Sequence, residues 1–326
     1  MCQPEITVII PCYNSYKHMQ RCLESLERQQ YKNFEVIVVD DCSTDDSYHQ
    51  LKMYAQNSSL NMSIVSNEKN RGPGFSRNVG IKLAKGRWLS FCDADDWYPD
   101  DRLEKVSKKI NNADCILCNY TKVYLSGKEE AVNYISKIKS ITNKDELIVS
   151  SLMSFWICII RKEIAEKFPI AELYNGEDYA TIPLWIQNSK KIEFIDEGMY
   201  FYYMRENSAS RNPTKKAYIG LCNAFRYMAS NSLPEFATST EFLGVHYVLY
   251  GAVLSAIKAG VDKVNIKKVV SDFEQKYPLW YDNIYIKTLP RYKKVFLETV
   301  KKKNFTLLRM MTYIHTLLLK LKQWMF

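Results

Sequence analysis

Phe91-Cys92-Asp93-Ala94-Asp95-Asp96-Trp97 places three carboxylates within four residues, directly after the apolar run Trp88-Leu89-Ser90-Phe91-Cys92. Like charges this close repel, and a hard divalent cation with oxygen ligands neutralises them well. Mg²⁺ usually keeps several waters and takes one or two protein carboxylates, leaving places for substrate phosphates. Asp93-Ala94-Asp95 therefore points to a metal bridging the protein to a phosphorylated substrate. On the residues alone the alternative is a capped turn, because Asp is common where a strand ends, and Trp97-Tyr98-Pro99-Asp100 begins the next helix.

The elements that must position this cluster form a repeating pattern. Ile6-Thr7-Val8-Ile9-Ile10 ends at Pro11, and Phe34-Glu35-Val36-Ile37-Val38-Val39 ends at Asp40-Asp41. Both runs predict buried strands. Met19, Leu23 and Leu26 fall at helical spacing between them, which makes a βαβ unit with a parallel sheet. A further helix near Asp45, a strand at Met62-Ser63-Ile64-Val65, and a helix carrying Val79, Leu83 and Ala84 lead to the acid-tipped strand. Pro11 to Asn14, Asp40-Asp41 and Asp93 to Asp96 each follow a strand's carboxyl end, where open α/β sheets bind ligands.

Six segments now match a known pattern in order: Val8-Ile9-Ile10-Pro11-Cys12-Tyr13-Asn14; Val38-Val39-Asp40-Asp41-Cys42-Ser43-Thr44-Asp45; Asn70-Arg71-Gly72 with Ser76-Arg77-Asn78-Val79-Gly80; Asp93-Ala94-Asp95-Asp96; Glu177-Asp178; and Tyr202-Tyr203-Met204-Arg205 with Ser208. Over residues 4–211 the chain resembles the family 2 inverting glycosyltransferases of the GT-A fold. The resemblance implies an α/β fold, a Rossmann-like nucleotide-diphospho-sugar transferase sheet flanked by helices, with a C-terminal helical extension. The expected domains are 1–211, divided into nucleotide-sugar binding (1–112) and acceptor and catalytic (113–211) parts, and a helical region, 212–326.

The resemblance also implies roles. Asp41 accepts from a base edge such as the uracil imide, which suits a carboxylate, while Pro11, Tyr13 and Asn14 shape the base and ribose pocket. Arg71 and Arg77 lie near the diphosphate. Asp95 is the direct ligand of a divalent cation (Mn²⁺ or Mg²⁺), with Asp93 reaching the ribose or a metal-bound water. Asp96 orients the other two or touches the donor sugar. Asp178 is the base that takes the acceptor hydroxyl's proton, and Glu177 beside it raises a neighbour's proton affinity. A helix N-terminus at Asp178 pulls the other way. Arg205 clamps a phosphate bidentately. The four histidines, His18, His49, His246 and His315, leave the Tyr202 to Ser208 segment without the extra metal ligand that many relatives carry. Gly72, Gly74 and Gly80 are wrongly spaced for a dinucleotide fingerprint.

Composition bounds the rest. At 326 residues and 47% hydrophobic content the chain can bury a substantial core. Nine scattered cysteines suggest a reducing compartment, and Cys115 with Cys118 lacks the second pair of a zinc site. The start, Met1-Cys2-Gln3-Pro4-Glu5, predicts no signal peptide, and no uncharged run of about 18 residues spans a bilayer. Strands are expected at Cys115 to Tyr124 and Phe155 to Ile160, with a helix from Lys144 to Met153 between them. Phe155 and Trp156 are expected either in the core or in the acceptor pocket.

After Pro213, helices are expected at Tyr218 to Ser230, Glu241 to Ala259 and Ile266 to Lys276, broken by Pro278 and Pro290. Residues 301–326 carry Lys301, Lys302, Lys303, Arg309, Lys320 and Lys322 and no acid. Leu307, Leu308, Met311, Ile314, Leu318, Leu321 and Met325, with Trp324 and Phe326 at the end, complete the pattern of a helix lying in a membrane interface. The alternative is a helix packed on the domain with its lysines in solvent. No nucleic-acid recognition motif accompanies these charges.

The expected activity is transfer of a sugar, UDP-linked by default, to a glycan or lipid-linked acceptor for capsule or lipopolysaccharide assembly. The expected location is the inner face of the cytoplasmic membrane. A nucleotidyltransferase and a non-catalytic nucleotide-sugar-binding scaffold are the rival classes.

Overall fold

The structure, a computed structural model, describes residues 3–173, 175–205 and 215–324, without the side chains of 215 and 318–324. The chain divides into two compact units. One takes the residues up to 208 except 174–176, and the other takes those three with 209–326.

The first unit is built on an eight-stranded sheet. Strands β1 (Ile6–Cys12), β2 (Phe34–Asp40), β3 (Met62–Ser66) and β4 (Trp88–Phe91) pair in parallel in the order β3-β2-β1-β4. β1 and β2 are almost wholly buried, as expected of parallel strands covered on both faces. Beyond β4 the sheet turns mixed. β7 (Cys158–Arg161) is antiparallel to β4 and to β5 (Cys115–Tyr124), β6 (Glu129–Val132) is antiparallel to β5, and β8 (Ile192–Met204) runs parallel to β5. The helices are α1 (Tyr16–Glu27), α2 (Ser47–Asn57), α3 (Pro73–Leu83), α4 (Arg102–Ser107), α5 (Ile135–Ile138), α6 (Lys144–Ser150), α7 (Lys162–Lys167) and α8 (Glu177–Asn188).

The expected β-α alternation through β4 is present, and α1 buries Met19, Leu23 and Leu26 as its spacing predicts. Two local expectations need correction. Leu83 is exposed, and α3 instead buries Gly74, Ser76, Arg77, Asn78, Gly80 and Ile81, because its inner face adjoins the acid cluster rather than a purely apolar layer. Gly80 is needed there, since a Cβ would stand 2.5 Å from Ile9 Cγ2. The run Phe155 to Ile160 opens with a single 3₁₀ turn, Phe155–Ile157, before β7. That turn puts Phe155 into the core against Phe91 and Trp185, while Trp156 stacks on Tyr200 and Tyr202.

The second unit is helical: α9 (Lys215–Asn231), a continuous stretch Pro234–Lys258 that contains α10 (Ala237–Gly244), a π-helical segment (Val245–Ala252) and α11 (Val253–Lys258), then α12 (Lys263–Lys276), α13 (Arg291–Lys301) and α14 (Phe305–Trp324). Pro234–Lys258 is the one described helix long and apolar enough to cross a bilayer, and 61% of its most apolar window is buried inside the protein. The basic tail is not one helix from 301. Lys303, at φ 54°, breaks α13 from α14. Phe305, Leu308 and Thr312 are buried, whereas Met310, Tyr313, Ile314 and Leu317 are exposed.

Candidate active site

The expected residues converge at the carboxyl edge of β1, β2 and β4. At the tip of β1, Asn14 takes a left-handed backbone (φ 48°). Its side-chain Oδ1 accepts the Thr44 and Asp45 amides at 2.8 and 3.3 Å, and its Nδ2 donates to Thr44 Oγ1 at 3.0 Å. Asn14 thus stitches the β1 tip to the β2 tip and leaves Tyr13, 45% exposed, standing out from that edge.

Asp41 is 3% exposed, and the loop before α3 surrounds it. Its carboxylate accepts from Asn67 Nδ2 at 2.8 Å, from the Arg71 amide at 3.1 Å and from the Gly72 amide at 2.7 Å. Gly72 sits at φ 87°, a conformation glycine adopts without strain, and this turns its N–H onto the carboxylate. In this state Asp41 anchors a loop, so Tyr13 is the more accessible group for a base. The Arg71 side chain leaves the acid cluster, pairing with Glu172 at 2.7 Å and lying over the Phe75 ring.

Arg77 is 5% exposed. Its guanidinium donates to Asp93 Oδ1 at 2.7 Å and to Glu177 Oε1 at 3.1 Å, joining the acid cluster at the end of β4 to the acidic pair that opens α8.

Within the cluster the three aspartates differ. Asp96 is 1% exposed, and its oxygens accept from Tyr200 Oη and the Tyr203 amide, both at 2.7 Å. These bonds tie Asp96 to β8 and keep it away from solvent. Asp95 is partly exposed and ion-paired with Arg205. Burial and then the neighbouring Asp93 raise the Asp95 pKa above the ordinary range, against the pull of Arg205. A cation would relieve that repulsion between charges, and two hard carboxylate oxygens suit Mg²⁺ or Mn²⁺. Among the described residues no group of three or more His, Cys, Asp or Glu side chains is placed to hold a metal. Asp95 and Asp93 are the residues that would hold such a cation.

Asp178 is half-buried at the start of α8. Burial and the adjacent Glu177 push its pKa up to about 7, outweighing the Tyr179 amide and Arg77, which lower it. A carboxylate titrating near neutrality is matched to general-base work at physiological pH.

Several positioning groups carry no obvious sequence signal. Tyr200 is fully buried and touches both Asp96 and the Asp93 amide. Arg102, also fully buried, donates to the carbonyls of Met199 and Trp156 and so ties α4 to β8 and to the turn before β7. Lys17, His18 and Arg21 line a cavity with Asp95 and Arg205. Their signal was available, since they sit one to two helical turns after Tyr13-Asn14. Ser208 lies outside the described residues, as do the side chains of Leu318, Leu321, Trp324, Met325 and Phe326.

A sequence profile described as glycosyl transferase family 2 matches residues 7–168. An uncharacterized glycosyltransferase of Haemophilus influenzae is 38% identical over 221 residues, covering 64% of this chain and 72% of that one. Glycosyltransferase GlyA of Streptococcus pneumoniae is 28% identical over 297 residues, 84% of this chain; the match spans only 41% of that relative's length. Among solved structures, Staphylococcus aureus TarS 1–349 in complex with UDP-GlcNAc superposes with a TM-score of 0.74 at 21% identity, covering 96% of this chain and 91% of that one. A Pyrobaculum calidifontis mannosyltransferase in complex with GDP-Man and Mn²⁺ gives 0.55 at 14% identity, covering 93% and 87%. The superposition with TarS gives the fold as GT-A, with additional C-terminal helices.

Proposed function

Because the chain belongs to glycosyl transferase family 2, we propose that it transfers a sugar from a UDP-sugar to a hydroxyl of a glycan or lipid-linked acceptor in surface-polysaccharide biosynthesis, with inversion in a single displacement. The observation that carries this reading is the Arg77 bridge, which sets the donor-side aspartates and the Glu177-Asp178 pair in one site. The solved complex of TarS with UDP-GlcNAc supports a UDP-linked donor.

In this mechanism Asp178 takes the proton of the acceptor hydroxyl as that oxygen attacks the anomeric carbon from the face opposite the diphosphate. Glu177 keeps Asp178 basic, and Arg77 holds Glu177 in place. Asp95 and Asp93 would hold a divalent cation, which when bound supplies Lewis-acid stabilisation of the charge growing on the departing diphosphate. Asp96, Tyr200 and Tyr203 fix the turn that presents these carboxylates. Trp156 and Tyr202, half-buried and stacked on one another at 5.5 Å, offer a surface on which a sugar ring can lie.

The test is slow release of nucleoside diphosphate from a panel of UDP-, GDP- and CDP-sugars with Mn²⁺ or Mg²⁺. UDP release from one or two donors that EDTA abolishes is the expected outcome. Metal-independent release would remove the cation from this mechanism, and release of pyrophosphate from a nucleoside triphosphate would replace it with nucleotidyl transfer.

The enzyme would work as a peripheral protein at the cytoplasmic face of a membrane. α14 supports this placement by combining a buried stripe with an exposed one, Met310, Tyr313, Ile314 and Leu317, beside Arg309. Exposed apolar groups next to cations fit an anionic bilayer surface. Substituting both Ile314 and Leu317 by Glu spares the buried stripe and should release the protein from anionic vesicles in a flotation assay. Unchanged partitioning would sink the idea.

A further inference from the structure

The cations expected to meet the donor's diphosphate are already committed elsewhere: Arg71 to Glu172, and Arg77 to Asp93 and Glu177. A separate group of cations faces the cluster from the other side. Lys17, His18 and Arg21 on α1, with Arg205 and Tyr203 at the end of β8, line a cavity of about 230 Å³ whose wall includes Asp95. Among the described residues, none of Lys17, His18 and Arg21 has a carboxylate within ion-pair distance. Arg21 is steadied by the rings of Trp97 and Tyr203, at 5.2 and 5.5 Å from its guanidinium carbon. The first turn of α1 contains no acid, so the positive end of the helix dipole adds to the field. The Arg205 Nε is buried without a partner, although this guanidinium already pairs with Asp95. One carboxylate set against three cations, Lys17, Arg21 and Arg205, leaves the cavity with a net positive charge.

We propose that this cavity is a phosphate-binding subsite in which Lys17, Arg21 and Arg205 receive phosphoryl oxygens next to Asp95. Arg205 is shared between the two. It neutralises Asp95 while the cavity is empty of anion, and turns its remaining donors to phosphate when one enters. Two sources offer this chemistry, the diphosphate of the donor and a phosphate carried by the acceptor. The inference deepens the glycosyltransferase reading and rests on it only for the source of the phosphate.

The experiment is calorimetric titration of inorganic pyrophosphate into the full chain at low ionic strength with EDTA present, for the native protein and for the Lys17→Gln and Arg21→Gln variants. Lys17 is exposed, so its variant retains the fold, and uridine binding provides a phosphate-free control. Each variant should weaken pyrophosphate binding by about tenfold and flatten its dependence on salt, with uridine affinity unchanged. No pyrophosphate binding at millimolar concentration, or equal affinity in all three proteins, overturns the proposal. Competition then separates the sources: displacement of pyrophosphate by UDP assigns the subsite to the donor, whereas pyrophosphate binding alongside saturating UDP assigns it to the acceptor. If pyrophosphate binds through Lys17 and Arg21 while UDP and uridine do not bind at all, the donor assignment fails and the subsite stands.

Discussion

Asp178→Asn should lower kcat by about 10² to 10⁴-fold, the usual contribution of a positioned general base, while leaving the Kd for UDP within about twofold. The substitution is isosteric, and the asparagine side-chain oxygen can still accept from the Tyr179 amide, as the aspartate does at 2.8 Å. Loss of turnover with binding intact is therefore a chemical effect. Loss of both would make Asp178 a structural residue and return the base to another group. The native enzyme supplies a second check. With the Asp178 pKa pushed up to about 7, the base is protonated and inactive on the acid side. Below that pKa, kcat/KM should fall about tenfold per pH unit, and in Asp178→Asn this limb should vanish.

Arg77→Met is expected to have the largest effect on stability. Arg77 is a buried cation paired with two carboxylates, and removing one partner from such a network costs about 3 to 5 kcal/mol because charge is left uncompensated. The pH dependence has a definite sign. Asp178 has a raised pKa in the folded protein, so the folded state keeps a proton that the unfolded chain releases near 3.8. The folded state binds more protons in that window, and this group's contribution to stability declines as pH rises from about 4 to about 7. Arg77 is one of the influences lowering that pKa. Without it, the decline should extend above pH 7, making the deficit of the variant in urea unfolding larger at pH 8 than at pH 6. A pH-independent deficit would show that Arg77 acts through packing over the Phe155 ring, 5.0 Å from its guanidinium carbon, rather than through charge. Arg77→Lys should not restore the native state, since an ammonium is a point charge without the fork that spans Asp93 and Glu177.

The extent of what could be read from the chain follows from the range of each interaction. β-branched runs that reach Pro11 and Asp40, and the apolar run Trp88 to Cys92 that reaches Asp93, made β1, β2 and β4 legible, and with them the sheet edge at which acids gather. Strand and turn preferences are settled within a few residues. α14 was half legible: its charge and apolar content are in the composition, but which stripe is buried and where Lys303 breaks the helix depend on packing.

The assignment of partners to the charged groups was decided by tertiary structure alone. Glu177 lies 100 residues from Arg77, and Tyr200 lies 104 from Asp96. A carboxylate's role is fixed by the donors that reach it and by how much water is removed around it, and neither quantity is local. Asp41, Asp95, Asp96 and Asp178 look alike in the sequence, yet they become a loop anchor, a partly exposed acid paired with Arg205, a buried strut and a carboxyl group whose pKa is pushed up to about 7. The sequence by itself determined that acids would stand at the carboxyl edge of a parallel sheet. Folding determined which of them stay charged, which are used up internally and which remain able to react, because desolvation and long-range pairing set proton affinity.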